Sequence, residues 1–271
     1  MNSPHERRKL PSRLADASLT SQGDAKGFEY SPVAMMPDVK VMKMGGQSIM
    51  DRGREALFPI LEEIVAIKDQ HKVLICCGGG TRARHVYSVA ADLELPTGVL
   101  AALGGYVPRQ NARMLQMLLA KHGGLFIMHD DFEKLPLYFR LGCIPIMTGM
   151  PPFGYWEKPS EGSRIPEHRT DAGVFLTAEV LGAKRALFIK DEAGLFEDDP
   201  KKNKSAKHIP RIAAKELLKL DLPDMILERV VIQYLARSRY CTELQIVNGL
   251  ERGMVTRALA GEDVGTIITK E

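Results

Sequence analysis

No run of apolar residues in this sequence approaches the ~18 that a membrane-spanning helix needs. The leading 30 residues are polar and mixed in charge, without the apolar stretch of a secretory signal. The expectation is a cytoplasmic protein with no membrane partner. Cysteine is scarce: Cys76, Cys77, Cys143 and Cys241, with no CxxC spacing. That pattern fits reduced, buried thiols rather than a disulfide framework. Charge of one sign is not in excess either. There are 37 Lys+Arg against 34 Asp+Glu, a formal net charge of +3, which gives no case for a nucleic-acid partner. HExxH is absent and no two of the seven histidines sit close together, so a zinc site is not indicated. The phosphate-binding patterns GxxxxGK[ST] and GxGxxG are missing too.

What is present is ordinary globular usage, 45% hydrophobic over 271 residues. The length suits one large α/β domain or two small ones, and it can bury a core without metals or disulfides. Residues 1–36 lack a period and read as an arm, either disordered or ordered on a neighbouring subunit. Residues 37–271 alternate apolar runs with amphipathic segments. Strands are expected at "VKVMKM", "KVLICC", "GLFIM", "IPIMTG", "RALFIK", "ELQIVNG" and "VGTIIT". Helices are expected at "REALFPILEEIVAIKDQ", "HVYSVAADLE", "QNARMLQMLLAKHG" (closed by Gly123) and "DAGVFLTAEVLGA". Alternation of this kind predicts βαβ units, a mostly parallel sheet covered on both faces, and so a three-layer α/β/α sandwich. One long irregular stretch, 149–171, carries four prolines and the only tryptophan. Loops of that length are usually functional.

Four segments can carry chemistry. In "KMGGQS", Lys43 ends a strand and Gly45, Gly46 and Gln47 follow, either as a phosphate seat or as a glycine turn beside a surface lysine. In "CCGGGTRARH", Gly79 and Gly80 follow a buried strand with Arg82, Arg84 and His85 just beyond, a second oxyanion seat or a tight packing turn. In "RTDAG", Asp171 near a helix start can cap the helix, orient Lys43 or hold Mg2+ on phosphates. In "FIKDEAGLFEDDPKK", Lys190 ends a strand, Phe196 offers a face for a base, and Asp199 and Lys201 follow. The basic cluster Lys201-Lys202-Asn203-Lys204 is a solvated loop or a contact to ligand phosphate. His129 and His168 fall beside loops at the presumed active end.

In order and together, these segments resemble the amino-acid kinase superfamily, with its carbamate kinase-like fold, and especially its uridylate-kinase-like branch. The "IVNGLERGMVTRALAGEDVGTII" stretch is similar to that branch's long carboxyl-terminal signature. The pieces "TRARHVYSVAADLELPTGVLA", "QNARMLQMLLAKHG" and "TGMPP" narrow the resemblance to molybdenum-storage subunits, chiefly of the beta type. The resemblance implies a subunit that binds ATP with Mg2+. ATP hydrolysis would drive molybdate or tungstate, as clusters, into a cage formed by a homo-hexamer or a hetero-hexamer with an alpha-type subunit. Lys43 and Lys190 would hold phosphate, with Asp171 orienting a lysine or the metal ion. Gly45, Gly46, Gly79 and Gly80 would supply N–H groups, and Phe196, Asp199 and Lys201 would line the nucleotide end. His129 and His168 would be the contacts to an oxyanion cluster.

Two departures matter. Leu95 stands where a uridylate kinase has a carboxylate for the acceptor sugar, and an apolar side chain accepts no hydroxyl hydrogen bond. The stretch "MPPFGYWEKP" also lacks the histidine run of an alpha-type subunit. The alternatives are a nucleoside monophosphate kinase, or another small-molecule phosphotransferase, and a nucleotide-binding subunit without turnover.

Overall fold

The computed structural model describes residues 33–160, 162–222 and 225–271. The expected arm falls almost wholly on residues 1–32, outside the described ones. By Met36 the chain is already part of the core: its side chain is buried and its N–H donates to the Leu181 carbonyl at 2.7 Å.

Eight strands form one sheet: β1 (Lys40–Met44), β2 (Val73–Cys77), β3 (Gly124–Phe126), β4 (Ile144–Thr148), β5 (Arg185–Lys190), β8 (Arg211–Ala213), β9 (Glu243–Asn248) and β10 (Thr266–Thr269). Their order is β3-β4-β2-β1-β5-β9-β10-β8. Every pairing is parallel except β10 against β9. Two further strands, β6 (Leu195–Phe196) and β7 (His208–Ile209), pair as a separate antiparallel ribbon. The helices are α1 (Arg54–Ile67), α2 (Gly80–Asp92), α3 (Thr97–Leu118), α4 (Leu135–Arg140), α5 (Thr170–Leu181), α6 (Ala214–Leu220), α7 (Arg229–Leu235) and α8 (Met254–Leu259). This is the expected α/β architecture.

Strand alternation divides the interior into two cores. Val41, Leu74, Cys76 and Phe188 face one side and pack with Phe175 of α5 and Val231 of α7. Met42, Met44, Ile75, Cys77, Leu187 and Ile189 face the other and pack with Ile60 and Ile64 of α1 and Leu115 of α3. Lys43 is two residues from Val41, and Lys190 two from Phe188. The same alternation therefore turns both lysines towards the face that α5 covers. The adjacent cysteines do point to opposite cores, and burial pushes the Cys76 thiol up to about 12. Cys143 is only half-buried, so the expectation of four buried thiols holds for three.

The largest difference from the sequence reading is α3. It begins at Thr97, well before "QNARMLQ", and ends at Leu118; a short 3-10 turn over Ala120–His122 then leads to Gly123 in the left-handed region. Gly98, Gly104 and Pro108 lie inside it. Gly104 is there for close approach, because a Cβ would strike the Tyr87 ring.

Candidate active site

Parallel sheets place ligands at the carboxyl ends of their strands, where loops diverge. Here those ends open into a cleft of about 610 Å³. Its floor is two glycine loops locked backbone to backbone. A Cβ on Gly46 would land on the Gly80 nitrogen, and one on Gly78 would come within 2.7 Å of the Gly46 nitrogen. Gly80 adopts φ +72°, and a side chain there would meet the Asp51 carboxylate. No larger residue fits this junction without separating the loops. Asp51 ties them further by accepting the Thr81 N–H at 2.6 Å.

Above this floor sits a buried charge cluster. The Lys43 ammonium donates to Asp171 Oδ1, and Lys190 Nζ lies 3.6 Å from the same oxygen. Both Lys43 and Asp171 are 5% exposed. Burial alone would raise the Asp171 carboxyl, but the Lys190 and Lys43 ammonium groups outweigh it and bring the group down to about 2. Burial pushes the Lys190 ammonium below its ordinary value. Lys190 also donates to the Ile226 carbonyl at 2.9 Å. Asp171 is the second residue of α5 and does not cap it. Of the roles open to it, orienting the lysines is the one its contacts match.

The mouth of the cleft is built differently. Arg52 reaches Asp191 at 2.6 Å, and Lys201 bridges Asp191 (2.9 Å) and Glu192 (3.2 Å). Burial opposes the Asp191 charge, yet Lys201 and Arg52 hold its carboxyl below the usual range. Phe196 lines the same end, 5.2 Å from the His208 ring.

Of the residues expected from sequence, Lys43, Gly45, Gly46, Gln47, Gly79, Gly80, Asp171, Lys190, Phe196, Asp199 and Lys201 all line this cleft. Arg82 does not. Its guanidinium turns onto Asn111 and Gln110 of α3, and Asn111 in turn donates to the Gly78 carbonyl at 2.6 Å. Arg84, two residues on, lines the cleft instead. Two residues along a helix is roughly 200° of rotation, so only one of the two arginines can face the cleft. His168 is buried elsewhere, with Nδ1 on Glu157 at 2.6 Å and Nε2 on the Tyr234 hydroxyl. Within this subunit it has no nitrogen left for a metal. His129 is half-buried edge-on to Phe132, and burial lowers its basicity. Neither histidine lines the cleft, and no metal-holding cluster of His, Cys, Asp or Glu occurs among the described residues.

Asp51, Arg52, Arg169, Asp191 and Glu228 also line the cleft and were not singled out by sequence. Leu95 packs half-buried against the small cluster of Tyr87, Leu100 and Val107. No described helix is long and apolar enough to cross a membrane.

Comparison with known proteins agrees with this geometry. The profile of the Amino acid kinase family matches residues 38–238. The chain is 47% identical to the molybdenum storage protein subunit beta of Azotobacter vinelandii, over 96% of this chain and 97% of that one. It is 26% identical to a uridylate kinase of Thermococcus kodakarensis, over 84% and 98% of the two chains. Among solved structures, UMP kinase from Bacillus anthracis superposes with a TM-score of 0.67 at 20% identity, covering 86% of this chain and 96% of that one. Uridylate kinase from Archaeoglobus fulgidus gives 0.64 at 22%, covering 85% and 100%. The chain belongs to the amino acid kinase family.

Proposed function

We propose that this chain is an ATP-binding subunit of a molybdate or tungstate storage assembly, in which ATP hydrolysis drives oxyanion uptake and deposition as clusters. The observation that carries the phosphate half of this reading is the buried Lys43–Asp171–Lys190 cluster standing over two interlocked glycine loops. Similarity to a molybdenum storage subunit over nearly the whole chain supports the oxyanion half.

Lys43 and Lys190 would receive the β- and γ-phosphate oxygens, with the N–H groups of Gly45, Gly46, Gly79 and Gly80 beneath them. Such preorganised donors stabilise charge that grows on the oxygens during transfer. Asp171 holds the two lysine side chains together. Water attacks the γ-phosphorus, the bond to the ADP oxygen breaks, and ADP, phosphate and a proton leave. The described carboxylates form no cage for Mg2+. Asp171 spends its oxygens on Lys43, Lys190 and the Glu228 N–H, so Mg2+ would arrive on the phosphates with its water. The assembly would be a homo-hexamer or a hetero-hexamer with an alpha-type subunit.

A nucleoside monophosphate kinase is the rival reading, favoured by the uridylate kinase relatives. Leu95 argues against it: it stands where the resemblance to uridylate kinases calls for a sugar-binding acid, and it packs half-buried in an apolar cluster. The test is elemental analysis of the assembly purified from cells supplied with molybdate or tungstate. Molybdenum or tungsten should remain after extensive washing. A washed assembly that carries ATP and neither metal would refute the proposal.

A further inference from the structure

Glu228 lies outside every motif that the sequence displays, yet it touches the cluster from three directions. Its side chain is 9% exposed. Oε1 accepts the Asp171 N–H, and Oε2 accepts the N–H groups of Arg169 and Ala172, each at 3.1 Å. In return, the Glu228 backbone N–H donates to Asp171 Oδ2 at 3.3 Å. Two residues earlier, the Ile226 carbonyl holds Lys190 Nζ.

The first turn of a helix presents backbone donors with no partner inside the helix. The N-cap of α5 is Arg169, a residue that cannot accept at its side chain, so the helix has no side-chain cap from its own N-cap. A carboxylate from 57 residues away supplies the acceptors. It also occupies an anion-favouring helix end, so a ligand phosphate is left to the lysines and glycine loops. Asp171 stands in the turn that Glu228 grips. Movement of that turn would shift Asp171 relative to both ammonium groups, and misplacement of about 1 Å is enough to cost transfer chemistry heavily.

We propose that Glu228 is a positioning residue for the phosphate end of the cleft. It fixes Asp171 through the first turn of α5, and its own segment fixes Lys190 through Ile226. The consequence for ATP turnover rests on the function proposed above; the consequence for the geometry of the lysines does not.

Glu228→Gln tests this with two independent readouts. Glutamine keeps one carbonyl oxygen but turns an amide NH2 towards a backbone donor. In the full-length protein, mass-spectrometric amine labelling should modify Lys43 and Lys190 about fivefold faster than in wild type, as expected for a local opening. Thiol labelling of Cys77 and Cys241, buried in the two separate cores, should stay at the wild-type rate. ATP hydrolysis should lose about tenfold in kcat with KM changed less than about threefold, the pattern of an interaction that matters in the transition state. Glu228→Asp, which retains the acceptor chemistry, should fall between the two. Unchanged amine labelling would overturn the proposal, and so would thiol labelling that rises in parallel, since that reports general loosening. If wild-type protein hydrolyses no ATP, the functional reading fails, and the labelling still decides the role of Glu228.

Discussion

The two ends of the cleft use charge in opposite ways. At the inner end, where the proposal seats phosphate, Lys43 and Asp171 are buried and the glycine loops touch backbone to backbone. At the mouth, the Lys201 side chain is 57% exposed and that of Arg52 45%, although both pair with Asp191. Breaking a buried pair leaves a desolvated charge behind, whereas breaking an exposed one lets water replace the partner. The phosphate end should therefore be rigid and intolerant. The mouth should be tolerant and tuned to ligand entry.

Lys43→Ala probes the intolerant end most severely. It should cost about 3–5 kcal/mol in urea unfolding, as expected when one partner of a buried pair is removed. ATP turnover should fall about 10²–10³-fold through loss of a charged donor. A stable, active variant would erase the contrast. Gly46→Ala comes next. The added methyl has no room beside Gly80, so about 1–3 kcal/mol should be lost through overpacking. Calorimetric titration should show nucleotide binding weakened, and unchanged binding would mean that the loop junction yields.

Asp171 adds a pH dependence with a definite sign. Its folded pKa, about 2, lies below an ordinary aspartate value of about 3.9. The stability it contributes is complete above the unfolded value and is lost as pH falls through the folded one. The stability gap between wild type and Asp171→Asn should therefore narrow from about pH 5 down to about pH 2. A gap that stays constant across that range would show that Asp171 is not held as a depressed carboxylate. The smallest effect belongs to the mouth: Lys201→Ala should change stability by no more than about 1 kcal/mol. A larger loss would show that the mouth is as interlocked as the floor.

The same contrast explains what could be read from sequence. Strand ends that run into glycines are local signals, so Lys43, Lys190 and both loops were legible. Partners that meet only through the fold were not. Glu228 is 57 residues from Asp171, and Arg52 is 139 from Asp191. Nothing local marks either pair. Sequence proximity does not separate Arg82 from Arg84; helix phase does, and it is Arg84 that lines the cleft. The early part of α3 was hidden by Gly98, Gly104 and Pro108, which look like helix breakers. Gly98 permits contact with the Tyr155 backbone and Gly104 with the Tyr87 ring. His168 looked available because its partners, Glu157 and Tyr234, come from a long loop and a distant helix.

The central claim is that phosphate in this cleft drives storage of an oxyanion rather than joining a nucleotide. The most direct test measures phosphate release, UDP formation and retained molybdenum in one reaction of the assembled protein with ATP and molybdate, with and without UMP. The account predicts phosphate release indifferent to UMP, no UDP, and molybdenum retained only when ATP is present. UDP formation without retained molybdenum would contradict it.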